Sequence, residues 1–186
     1  MSFNTLEDYQ SLHRKANPVR SKLQDILTKQ REHWDDVTSE LVDGKKKTHW
    51  CWYFLPNVPG LGTSDQAKAF AVTPGEFVEF MKNSEYAGNI NTVTFLIYHS
   101  VRHLRTHFNE DFNVAILKVL GHNSVDVLKY ISFITLVRSL VNTKMVTFKS
   151  DRINIMFSDL DGMFPNAICE HTEDVLEDFY RSRGML

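Results

Sequence analysis

The chain has 186 residues, a formal net charge of −2, and 42% hydrophobic, 24% charged and 12% aromatic residues, with Phe contributing 13. A chain of this length buries roughly 70% of the surface it exposes when unfolded, so a single domain with a sizeable core accounts for it. The faintly acidic balance argues against general nucleic-acid binding, and the lack of a long apolar run or of a basic and apolar leader at MSFNTLEDYQ argues against membrane insertion or secretion, leaving a cytoplasmic setting as the expectation.

Thr5 and Asp8 resemble a capping box and predict a first helix from Leu6 to about His13. Asn17 and Pro18 offer a cap and a first-turn residue for a second helix. Its apolar positions Leu23, Ile26, Leu27, Trp34, Val37 and Leu41 keep helical spacing from Val19 to about Val42, and Gly44 stops it. The apolar segment from Trp50 to Leu55 reads as a strand or a helical turn, and the prolines and glycines that follow it force a loop. Ser64 caps a short helix through Ala71. Thr73-Pro74-Gly75-Glu76 is a second capping box, with proline in the first turn, and opens a helix through about Lys82.

Ile90, Val93, Ile97, Val101, Leu104 and Phe108 fall on one side of a helical wheel, which predicts a helix over 90–108. Phe112, Ala115, Ile116, Val119 and Leu120 mark the next, ended by Gly121, and 125–141 is the most apolar helix of all. Val146 to Phe148 and Ile153 to Phe157 alternate enough for short strands, and Thr172 to Arg183 reads as a terminal helix on Val175, Leu176 and Phe179. The expected fold class is all-α, one multihelical domain with room for one small β hairpin.

Cys51 and Cys169 belong to no CxxC pair and read as reduced, buried thiols. His99, His103 and His107 share one helical face, a spacing that can supply two metal ligands. Arg102 and Arg105 stand beside them with no acid in the same turns, so the face reads as solvated and no metal or other cofactor is expected. Residues 151–180 hold eight acids against Arg152 alone, which reads as solvated surface or as a face for a basic partner. Lys129 stands out on an otherwise apolar helix. It must reach solvent, meet Asp126 or another acid, or face an anion.

The segment HWCWYFLPNVPGLG, residues 49–62, concentrates His49, Trp50 and Trp52 with two prolines and two glycines. Indoles offer flat faces for a base, glycines allow close backbone approach, and an imidazole titrates near neutrality. Together these suit a nucleotide-like ligand.

The run Gly44-Lys45-Lys46-Lys47-Thr48-His49-Trp50-Cys51-Trp52-Tyr53-Phe54-Leu55-Pro56, then Gly60-Leu61-Gly62-Thr63-Ser64, then Phe70-Ala71-Val72, resembles the diagnostic segment of a bacterial and archaeal domain family of unknown function often mislabelled "calpastatin". Leu120-Gly121, then Asp126, Leu128, Lys129, Ser132, Thr135 and Leu136, resemble that family's second block in the same order. Cys51 stands where the family has Met and Asn57 where Gln is common, while Phe133 and Val137 also depart from its pattern. The resemblance implies an all-α fold and a family-like core over 34–141. Residues 16–33 then read as a helical insertion and 145–186 as a divergent acidic part, as in a specialised variant from a bacteriophage.

Pairing the two blocks suggests a pocket in which Lys46 and Lys129 hold phosphate, Trp50 and Trp52 stack, and Asn57, Ser132 and Thr135 complete the ligand contacts. His49 is the catalytic candidate, as general acid or base. The expectation is binding, extending to hydrolysis, of an anion of the ADP-ribose or NAD-derived type. The alternative is a non-enzymatic interaction protein that antagonises a host toxin or immune factor through the helix around Arg20 to Trp34 and the acidic C-terminal quarter.

Overall fold

A computed structural model describes residues 18–148, 153, 156, 159 and 168–186. The helix expected from Leu6 lies outside these residues. Helix α1 spans Pro18–Val42 and buries Ile26, Leu27, Val37 and Leu41 together with Gln30 and Glu40. Its end is a Schellman turn. Gly44 at φ 74° donates to the Leu41 carbonyl at 3.1 Å and Lys45 to that of Glu40 at 2.9 Å, so the last carbonyls keep partners.

The Trp50 to Leu55 segment is a helical turn, α2 (Cys51–Phe54), and α3 (Asp65–Phe70) starts at Ser64, whose hydroxyl accepts from the Ala67 amide at 3.1 Å. Helix α4 (Pro74–Phe80) carries the expected box in both directions, Thr73 to Glu76 and back, at 2.8 and 3.2 Å. Helix α5 (Ser84–Phe108) begins six residues before the expected Ile90. Asn83 caps it by accepting from the Tyr86 amide at 3.0 Å, and its first turns bury only Tyr86, too little apolar pattern to mark the start.

Helix α6 (Phe112–Val119) leads through Gly121 into α7 (Ser124–Asn142), and α8 (Glu170–Ser182) closes the described chain. Among the described residues there is no strand. The hairpin expected around Val146 and Ile153 is corrected at its second arm: Ile153, Met156 and Asp159 are helical, and the three-residue step puts Ile153 and Met156 both into the core. Residues 154, 155 and 157 lie outside the described set.

Helix α7 is the centre. Phe133, Leu136, Val137 and Leu140 have no exposed surface, because α4, α6 and α8 cover it. Helix α1 runs against α5, α5 against α6, and α2 fills the angle between α1, α3 and α5. Helix α8 is strongly amphipathic. Thr172, Leu176 and Tyr180, one turn apart, are buried, and its carboxylates face outward. No described helix is long and apolar enough to cross a membrane.

Candidate functional site: a buried two-lysine cluster

The segment between α1 and α2 is strapped to both ends of its surroundings. Glu40, on the last turn of α1, spends its carboxylate on three donors. The Lys47 amide and the Trp50 indole N–H reach Oε2 at 2.9 and 2.8 Å, and the Thr48 amide reaches Oε1 at 2.9 Å. Burial alone would raise this carboxyl's pKa, but the three N–H donors hold it below the ordinary range. The Lys46 amide donates to the Val119 carbonyl at 2.8 Å, tying the strap to α6. Lys46 therefore points inward.

There it meets the first two turns of α7. Lys46 Nζ lies 2.7 Å from Asp126 Oδ2, and Lys129 Nζ donates to Oδ1 at 2.8 Å. The Lys46 contact is an ion pair lying off the hydrogen-bond directions of Oδ2. The three side chains are only 5%, 3% and 8% exposed for Lys46, Asp126 and Lys129. Burial pushes the Asp126 carboxyl up, and the Lys129 hydrogen bond with the charges of Lys129 and Lys46 outweighs it, so the group sits below the usual carboxylate range.

Two ammonium groups share the Asp126 carboxylate, a local excess of one positive charge, while the ionised Glu40, bonded only by neutral N–H donors, brings the buried charges among the described residues to two of each sign. Glu40 is the other buried carboxylate among the described residues, and its oxygens are occupied as above. The indoles supply the rest of the solvation. Lys129 Nζ stands 3.5 Å from the centre of the Trp52 ring, and Lys46 Nζ 5.7 Å from that of Trp50. Buried Cys51 sits beside this cluster, and its thiol is pushed far up by burial and by the Asp126 carboxylate, so it stays protonated and inert.

Lys46, Trp50, Trp52, Asn57 and Lys129 are thus neighbours in the structure, with Lys46, Lys129, Trp50 and Asn57 engaged by other groups of the protein. Trp50 has no exposed surface and its ring packs edge-on to Phe54 at 6.1 Å, so it offers no face to a base. Asn57 turns its amide onto the carbonyls of Leu55 and Lys129, at 2.8 and 3.2 Å, and joins the loop to α7. Trp52 alone of the two indoles is partly exposed. His49 is exposed at the strap's surface.

Ser132 and Thr135 do not face this site as ligand contacts. Ser132 Oγ pairs with Thr172 Oγ1 at 2.8 Å, Thr135 Oγ1 accepts from the Cys169 amide at 3.1 Å while donating to the Ile131 carbonyl at 2.9 Å, and Ser139 meets the Tyr180 hydroxyl at 2.8 Å. The hydroxyl stripe is the docking face for α8. A cavity of about 450 Å³ between α7 and α8 includes Thr135 and Ser139 but none of the tryptophan loop. The Gly-Leu-Gly loop is likewise taken up by the protein: a Cβ at Gly60 would come within 2.8 Å of His171, and one at Gly62 within 2.9 Å of Ala67.

Sequence reasoning passed over Glu40 as a site residue and named Asp126 only as one option for Lys129. The signal for Glu40 was its place one turn before the stop at Gly44, facing the buried side of α1. Thr172 had no signal of its own, since a lone Thr near a helix start reads as a cap.

No curated protein matches the sequence. A solved structure, the conserved hypothetical protein Rv1873 from Mycobacterium tuberculosis, is similar in fold, with a TM-score of 0.56 and 20% identity over 80% of this chain and 87% of that one. A family profile matches residues 20–161, a span wider than the expected 34–141 and one that takes in most of the segment read as an insertion. The chain therefore belongs to the family described as protein of unknown function DUF1810.

Proposed function

We propose that the protein binds a small nucleotide-like anion, of the ADP-ribose or NAD-derived class, against the partly exposed Trp52 beside Lys129. The observation that supports this reading is the convergence of two ammonium groups, Lys46 and Lys129, on the single carboxylate of Asp126. An anionic group beside Lys129 would relieve the local excess of positive charge around Asp126, and an ammonium retains donors beyond the one given to Asp126. The outer face of Trp52 is the surface left for a base. Binding is the part of the reading that the charge supports. Hydrolysis would rest on His49 alone, as an exposed imidazole one residue before Trp50.

The test is a thermal-shift and calorimetric series with inorganic phosphate, AMP, NAD and ADP-ribose. A ligand at 100 times its dissociation constant stabilises by about 2.7 kcal/mol, which is readily seen. Lys129→Met should weaken the best ligand at least tenfold, and Trp52→Ala should erase the preference for nucleotides over phosphate. No shift with any of the four, or a Lys129→Met protein binding as the wild type does, would remove the proposal.

A second reading, an interaction protein acting on a host toxin or immune factor, draws on different residues. Val42 and Phe108, 73% and 63% exposed, rim a groove of about 560 Å³ between the end of α1 and α5. The outward carboxylates of α8 add a charged face. A host-protein contact mapped to Lys129 and Trp52 rather than to these faces would reject it.

A further inference from the structure

The last turns of α5 carry His99, His103 and His107, all exposed. Residues four apart lie on one helix face about 6 Å apart along the axis, close enough for two imidazoles to reach one ion. The rings of His103 and His107 are already near each other, with centroids 4.4 Å apart and planes 31° from parallel. His107 Nδ1 lies 3.2 Å from the His103 backbone carbonyl oxygen. A carbonyl only accepts, so Nδ1 carries the hydrogen and donates. In the neutral ring Nε2 then holds the free lone pair. This is the arrangement found behind metal-bound histidines, where the second nitrogen is anchored to a carbonyl and fixes the ligating one.

We propose that His103 and His107 form a two-histidine site for an imidazole-preferring divalent metal, Cu²⁺, Ni²⁺ or Zn²⁺. A tetrahedral ion with bonds of about 2.0–2.1 Å needs its two nitrogens about 3.3 Å apart, within reach of small rotations of these exposed rings. His99 is the weaker candidate for the pair, because its ring lies against Phe95 at 4.4 Å and Tyr98 at 5.7 Å. The local charge does not forbid the ion. Of the two cations beside this face, Arg102 donates to the Tyr98 hydroxyl at 3.0 Å and pairs with Asp159 at 3.8 Å, and Arg105 is the other. Among the described residues no group of three or more His, Cys, Asp or Glu side chains could hold a metal, so water fills the other positions and the ion stays exchangeable.

The experiment is a calorimetric titration of the untagged full chain with Ni²⁺, Cu²⁺, Zn²⁺ and Mg²⁺, repeated on His103→Gln, His107→Gln and His99→Gln. Circular dichroism confirms that each variant folds. The expected result is one site, tightest for Cu²⁺ and undetectable for Mg²⁺. His103→Gln and His107→Gln should each weaken it at least tenfold, and His99→Gln by less than threefold. Wild-type and His107→Gln titrations that superimpose, or Mg²⁺ binding as well as Ni²⁺, would overturn the assignment.

Discussion

Replacing Asp126 by Asn keeps the side chain's shape and removes its charge, leaving two ammonium groups at 5% and 8% side-chain exposure with no counter-ion. Breaking a buried pair in this way costs about 3–5 kcal/mol, because the stranded charge cannot recover its hydration. Lys129→Met does the reverse. It leaves Lys46 and Asp126 as one balanced pair at 2.7 Å and fills a similar volume; it loses the hydrogen bond to Oδ1 and a cation–π contact worth about 0.5–2 kcal/mol, while relieving the local excess of positive charge around Asp126.

Asp126→Asn is therefore expected to cost at least about 1 kcal/mol more than Lys129→Met. In a chain of this size each kcal/mol moves the melting midpoint by about 2–4 °C, so Asp126→Asn should melt about 6–20 °C below the wild type and Lys129→Met less far below it. Urea and thermal unfolding at pH 7, followed by circular dichroism, read both. The pH dependence has a definite sign. The carboxyl is held below its usual range in the folded state, so its contribution is complete above about pH 4 and is lost as pH falls through the lowered folded value. The stability of Asp126→Asn should accordingly vary less on acidification. A Lys129→Met protein as unstable as Asp126→Asn would refute the argument, since the two lysines and the carboxylate would then behave as one balanced unit with no local excess.

Glu40→Gln turns one accepting oxygen into an amide donor facing N–H groups, and should cost about 1–3 kcal/mol in urea denaturation, with a change in tryptophan fluorescence from the released Trp50 indole; unchanged stability would show that the strap does not depend on the carboxylate. Gly121→Ala should cost at least about 2 kcal/mol, because Gly121 sits at φ 71° and an added Cβ would lie 2.4 Å from the Lys46 carbonyl oxygen; a neutral variant would mean that the strap can move off the end of α6 without loss.

Much of the helical architecture is legible in the order of the residues, and the reasons are local. Two helix starts rest on visible chemistry, Ser64 and the Thr73 to Glu76 box capping the helices that follow them, and Gly44 and Gly121 lie at positive φ just past the ends of theirs. The period of apolar residues marks α1, α6, α7 and α8 to within about two residues, since each needs a continuous stripe against a neighbour. The miss at Ile153 has the same origin. Over five residues, alternation and a three-residue step look alike, and only burial of both Ile153 and Met156 on one side selects the helix.

Which polar residues assemble is also partly legible, because a lysine on so apolar a helix needs an anionic partner, and Asp126 is within one turn of Lys129. What each of them faces is not. Composition and spacing fix which side of its own element a residue takes. They do not determine which other element covers that side. The placement of α8 over Ser132 and Thr135, and of Lys46 and Glu40 against the two tryptophans, depends on contacts between residues 40 and more positions apart as well as between near neighbours. Those contacts turn a stripe of hydroxyls into a helix seat and a pair of indoles into partners for lysines, and they are properties of how the helices pack together rather than of any one helix.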